Sequence, residues 1–331
     1  MKSFAADTSV VICCHTEKRW SDIKRAVLSV VDQSCPPAEI LLVVDHNEVL
    51  FERARREFHD VRAIANTFER GLAGARNTGV DNANGSIVAF LDDDAWAEQR
   101  WLERLTSWYT DENVLGVGGQ ITPEWKVTPP RWFPNEFRWV IGCSYAGLPN
   151  GPAPVRNMIG ANMSSRRDVL QNVGNFRVGL GRVGFKPMGC EETEFCIRAA
   201  AAHRPGRFWF DPSAIVHHTV PADRATWSYF KARCQAEGQS KSQIVTEIGG
   251  EGTASERQYV TKTLPRAIAH DLACSLATRS IDGVLQAAAI VGGTALVGGS
   301  YFADRLRKRT MDCKTNTERT LTHGTLDEMK Y

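Results

Sequence analysis

The strongest constraint on this chain is an alternation near its start, where short β-branched apolar runs are separated by segments of helical periodicity. Residues 9–14 (SVVICC) and 39–45 (EILLVVD) are continuous apolar runs too short for helices. That is the pattern of strands buried on both faces of a parallel sheet. Between them, residues 20–33 set Ile23, Val27, Val30 and Val31 on one helical face, and Ser34-Cys35-Pro36-Pro37 stops the helix. Residues 61–66 form a weaker run and 74–83 a glycine-punctuated helix. Residues 86–91 (SIVAFL) form a fourth strand, followed at once by Asp92, Asp93 and Asp94. This order predicts an α/β fold with a mostly parallel sheet flanked by helices.

The second half changes character. Residues 123–154 hold Trp125, Trp132, Phe133, Phe137, Trp139 and Tyr145 among seven prolines, too broken for one regular element. These rings either offer a platform on which a ligand stacks or pack a lid onto the domain. A helix is predicted from Glu191 through Ala202, then a turn and an edge strand in 205–216, and helices beyond Thr226. The predicted organisation is an α/β domain over 1–225, a helical extension over 226–309 and a disordered polar tail over 310–331.

Lys and Arg total 40 against 38 Asp and Glu, a formal net charge of +2. This balance gives no electrostatic footprint for nucleic acid. Nine cysteines without a Cys-x-x-Cys pair read as buried, reduced thiols of a cytosolic protein. The first seven residues lack the long apolar core of a signal peptide.

Residues two apart on extended backbone face the same way, so Asp92 and Asp94 can grip one ligand at the carboxyl end of a strand, where open α/β sheets bind. Adjacent carboxylates repel unless a cation joins them, and Mg²⁺ or Mn²⁺ with a phosphate suits such oxygens. An Asp-rich turn with Asp94 capping a following helix satisfies the same pattern.

Read together, VVICCHTE (10–17), ILLVVDHN (40–47), RGLAGARNTGVDNANGSIVAFLDDDA (70–95), IGANMSSRRDVL (159–170), GCEETEFCIR (189–198) and AIVHHTVP (214–221) resemble the family 2 glycosyltransferases with the GT-A fold. The resemblance implies an inverting transferase that uses a nucleotide-diphospho-sugar, of UDP type by family frequency, and a divalent metal. It places Asp45 and Glu17 at the nucleotide-base edge, and Arg76 and Asn77 near the nucleotide. Asp92 falls on metal and ribose, Asp94 and His218 on the metal, with Asp93 additional and His217 adjacent. Asn162 falls beside the donor sugar. Glu191-Glu192 matches the family's Glu-Asp pair, with Glu192 as the catalytic base. Acidic residues in a helix's first turn also satisfy the macrodipole.

Residues 284–303 are long enough to span a bilayer and are followed by Arg305, Arg307, Lys308 and Arg309. That cluster and a domain needing nucleotide sugars both belong in the cytoplasm, so one span cannot serve both. The segment is predicted to pack on the domain or lie in the inner leaflet, giving a cytoplasmic, peripheral protein, with an acceptor hydroxyl on a glycan, a lipid-linked saccharide or a small molecule. A nucleotidyltransferase would need a glycine-rich basic loop after the first strand, which 14–17 lacks. A non-catalytic sugar-nucleotide binder on the same scaffold is the other alternative.

Overall fold

The computed structural model describes residues 4–179, 189–248 and 254–327. Strands β1 (Thr8–Cys14), β2 (Glu39–Val44), β3 (Arg62–Ala65) and β4 (Ile87–Asp92) are parallel neighbours in the order β3-β2-β1-β4. Helices α1 (Trp20–Val31), α2 (Glu48–Glu57) and α3 (Leu72–Asn82) make the crossovers. The apolar runs are buried because successive residues feed opposite layers. Val10, Ile12, Leu42, Leu91 and the α1 residues Ile23, Val27 and Val30 share one core. Val11, Leu41, Val43 and Phe90 share the other with Ala73 and Val80. Val31, predicted on the α1 core face, is 43% exposed at the helix end. α2 has only Leu50 and Ala54 buried and is opened by Asn47, whose side chain accepts from Leu50 N.

Beyond β4 the sheet is mixed. β8 (Asn162–Arg166) runs antiparallel to β4, and β6 (Val114–Trp125) antiparallel to β8. β9 (Arg207–Val220) lies parallel to β6, while β5 (Ala95–Ala97) and β7 (Ala153–Val155) pair antiparallel with β9. β9 is therefore an interior strand rather than the predicted edge. It continues to Val220 in register with β6, and β5, only three residues long, covers its far side at residues 216–218. The chain after Asp94 continues as β5, so Asp94 caps no helix.

The remaining helices are α4 (Trp101–Thr106), α5 (Arg167–Asn172), α6 (Glu191–Ala202), α7 (Trp227–Ile248), α8 (Ala254–Gln258), α9 (Leu264–Thr278) and α10 (Asp282–Asp327). α10 packs on α7 and α9. A side chain at Gly293 would meet Phe137 at 2.5 Å, which lets the helix settle onto a ring cluster. Trp132, Phe133 and Phe137 of the aromatic stretch surround Phe230 of α7. That part of the stretch joins the C-terminal helices to the domain and is no open platform. Helical backbone runs on through 310–327, where the sequence predicts a disordered tail. No proline interrupts 282–327, and extending a nucleated helix costs little per residue.

Candidate active site

The acidic cluster sits where β4 ends. Asp92 is half-buried, and Asp93 and Asp94 are buried. Asp94 meets three cations: His218 Nε2 at 3.1 Å, Arg224 Nη2 at 3.2 Å and Arg19 Nη1 at 3.1 Å. Burial opposes its charge, but these partners, His218 first, hold its carboxyl well below the usual carboxylate range. For His218, burial disfavours the charged ring, and Asp94 outweighs it, pushing the imidazole up to about 10. Asp93 pairs with Arg19 at 2.9 Å, and its Oδ2 is buried with no hydrogen-bond partner among the described residues. Its carboxyl is pushed up to about 7 by burial, with Arg19 opposing.

Asp92, Asp94 and His218 bring one ligand atom each to within 4.8 Å of one another. Two carboxylates and an imidazole fit a divalent ion of the Mg²⁺ or Mn²⁺ type. Strand alternation separates the two histidines. His217 faces away, stacked on Trp96 at 4.1 Å and 3.0 Å from Glu98, whereas His218 points inward and is backed by Cys143 Sγ at 3.8 Å.

Arg76 joins this centre to the start of α6. It is 2% exposed and reaches Asp92 at 3.4 Å and Glu191 at 2.9 Å. It lies so close to Gly160 that a Cβ there would meet Arg76 Nη2 at 2.5 Å. Glu191 is buried with its Oε1 against this guanidinium, which it helps to hold. Glu192 is half-buried. Burial, reinforced by the charge of Glu191, pushes its carboxyl up to about 8, with Arg76 opposing. A carboxyl poised there suits a general base near neutral pH. On the far side of Glu192, Glu237 and Lys241 of α7 pair at 3.1 Å, and Lys241 and Arg156 share Glu256 at 2.7 and 2.6 Å. The extension thus walls the site.

Residues 9–174 match the sequence profile of Glycosyl transferase family 2. A glucosyl-dolichyl phosphate glucuronosyltransferase of Haloferax volcanii is 31% identical over 312 residues, 93% of this chain and 99% of that one. This chain is a family 2 glycosyltransferase. The succinoglycan biosynthesis protein ExoM of Rhizobium meliloti is 30% identical over 175 residues, 52% of each chain. Among solved structures, the mannosyltransferase PcManGT from Pyrobaculum calidifontis, in complex with GDP-Man and Mn²⁺, superposes with a TM-score of 0.57 at 16% identity. The match covers 91% of this chain and 86% of that one. GalNAc-T7 with UDP, GalNAc and Mn²⁺ gives a TM-score of 0.52 at 18% identity, covering 81% and 57%. These likenesses establish the GT-A fold.

The other residues that the sequence assigned to ligand binding in this glycosyltransferase divide into rim and scaffold. Asp45 lies at the end of β2. Its carboxylate accepts from Asn66 Nδ2 at 2.7 Å and Gly71 N at 3.0 Å, holding a loop whose φ of 139° at Gly71 only glycine adopts readily. Glu17, on a one-turn 3-10 helix after β1, is an exposed rim residue 3.7 Å from Arg53. Asn77 and Asn162 are bonded within the fold. Asn77 exchanges hydrogen bonds with Phe176 N and O at 2.9 and 2.8 Å. Asn162 is fully buried, accepting from Trp101 Nε1 and donating to the carbonyls of Gln120 and Ala214. Both amides hydrogen-bond core polar groups. Sequence reading missed Arg19 and Arg224. A carboxylate triplet demands cations, but these come from 74 residues before Asp93 and 130 after Asp94.

Proposed function

We propose that this glycosyltransferase moves a sugar from a nucleotide-diphospho-sugar to a hydroxyl of a lipid-phosphate-linked saccharide, by single displacement with inversion. The observation that carries this reading is Arg76. One buried guanidinium touches both Asp92 and the residue before Glu192, so the phosphate-side acids and the base border a single cleft. Glu192 takes the acceptor proton as the hydroxyl attacks, and Arg19 and Arg224 offer their N–H groups to the departing diphosphate. Bound by Asp94, Asp92 and His218, Mg²⁺ or Mn²⁺ supplies Lewis-acid charge against that diphosphate.

The lipid-linked acceptor is supported by the activity for which the Haloferax relative is named and by the outer face of the extension. Leu272 and Leu276 of α9, Ile281 between the helices, and Val291, Phe302 and Leu306 of α10 are exposed, and α10 contains an apolar stretch of 27 residues, Asp282–Lys308, long enough to cross a bilayer. Its other face packs on α7, and Arg305, Arg307 and Lys308 lie at its end. An in-plane seat on the cytoplasmic leaflet satisfies all three features.

Thermal unfolding with UDP-glucuronate, UDP-glucose, UDP-GlcNAc and GDP-mannose, with and without Mn²⁺, tests the donor. A cognate donor at a hundredfold over its dissociation constant adds about 2.7 kcal/mol, a shift of several degrees seen only with Mn²⁺. If no nucleotide sugar raises the midpoint with Mn²⁺ present, the donor reading fails.

A further inference from the structure

The three cations on Asp94 are not equivalent. The side chains of His218 and Arg224 are 4% and 7% exposed, whereas that of Arg19 is 29% exposed and descends from the rim. Arg19 ends a one-turn 3-10 helix, Glu17–Arg19, and caps the start of α1, so a change of partner needs only a rotation of its side chain. Its Nη1 bridges Asp93 and Asp94 and so lies on a carboxylate that the candidate cation needs. Among the described residues, Asp93, the residue additional to the D-x-D pattern, has Arg19 as its ion-pair partner and a buried second oxygen with none.

Charge balance gives this arrangement a direction. Asp92, Asp93, Asp94 and Glu191 face Arg19, Arg76 and Arg224. A divalent ion entering this cluster of four acids and three guanidiniums leaves surplus positive charge until a cation withdraws or an anion arrives. Arg19 is the cation free to withdraw, and a diphosphate is the anion.

We propose that Arg19 is an exchangeable counter-ion. It neutralises Asp93 and Asp94 while the cation site is empty, gives up Asp94 when a divalent ion enters, and then binds the diphosphate of the donor. Arg19 thereby couples metal loading to nucleotide binding, as a positioning residue of the transfer site. The nucleotide half of this inference rests on the proposed donor class, and the metal half does not.

The test uses the full chain and two variants, Arg19→Gln and Arg19→Lys. Free Mn²⁺ is followed by electron paramagnetic resonance in the absence of nucleotide, then UDP and GDP are titrated calorimetrically at saturating Mn²⁺. Removing one positive charge beside the acids tightens Mn²⁺ binding by about tenfold in Arg19→Gln, with Arg19→Lys in between. Nucleoside diphosphate binding weakens by about tenfold in the same Gln variant. A damaged fold loses metal affinity, so a gain cannot come from unfolding. Equal or weaker Mn²⁺ binding by Arg19→Gln, or none by either wild type or variant, overturns the proposal. If wild type binds Mn²⁺ but neither diphosphate, the donor reading has failed while the metal titration still decides the role of Arg19.

Discussion

Glu192→Gln abolishes transfer and leaves donor binding intact. The substitution keeps the shape of the side chain and removes the only proton acceptor the account assigns to the acceptor hydroxyl. The expected loss in turnover is about 10²–10⁴-fold, the usual value of a general base, with an unchanged thermal shift from Mn²⁺ and donor. The same residue sets the pH dependence. Its carboxyl is pushed up to about 8 by burial and Glu191 and must be ionised to accept a proton. The rate of the wild type therefore climbs with pH and levels off above about 8, whereas the residual rate of the Gln variant lacks this rise. Stability moves the opposite way. A carboxyl whose pKa is higher folded than unfolded favours the folded state at low pH, and that contribution is lost as pH rises from about 4 to about 8. Glu192→Gln is not subject to the loss, so its margin over the wild type in urea denaturation widens from pH 5 to pH 9. Near-normal transfer by the variant would remove Glu192 from the mechanism.

Asp94→Asn costs the fold as well as the metal. Asp94 is buried and is the common partner of His218, Arg224 and Arg19. A neutral amide leaves those cations facing one another in a dry site. Breaking a buried pair on one side costs about 3–5 kcal/mol; an exposed pair such as Arg55–Glu52 contributes at most about 1 kcal/mol. Urea denaturation reads the first effect and Mn²⁺ titration the second. Unchanged stability, or Mn²⁺ binding at wild-type strength, would contradict the arrangement around Asp94.

The parallel half of the sheet was legible because its strands are uninterrupted apolar runs, and a residue buried on both faces leaves little choice of partner structure. α2 was missed because it buries only two residues, too few to print a stripe, although Asn47 carried the capping signal. The interior position of β9 was not legible, since a strand's neighbours are chosen by pairings far apart in sequence. At the site, the meeting of Asp92, Asp94 and His218 agrees with their motif context, and Glu192 stands at the start of α6, where that context set the proposed base. Asn77 and Asn162 show how much such a context leaves open. A motif records that a polar side chain is required, and in the folded chain these two amides bond buried backbone groups and Trp101. Arg19 and Arg224 show the converse, since an arginine outside any motif looks like surface charge until the fold brings it to a carboxylate.

The central claim is a direct displacement between Glu192 on one side and the Asp92–Asp94 centre on the other. It is tested most directly by the anomeric configuration of the product, read from proton NMR coupling constants. With an α-linked nucleotide sugar such as UDP-glucuronate and a glucosyl-phosphoryl lipid acceptor, the account predicts a β-linked product from the wild type. A product that keeps the α configuration would contradict it.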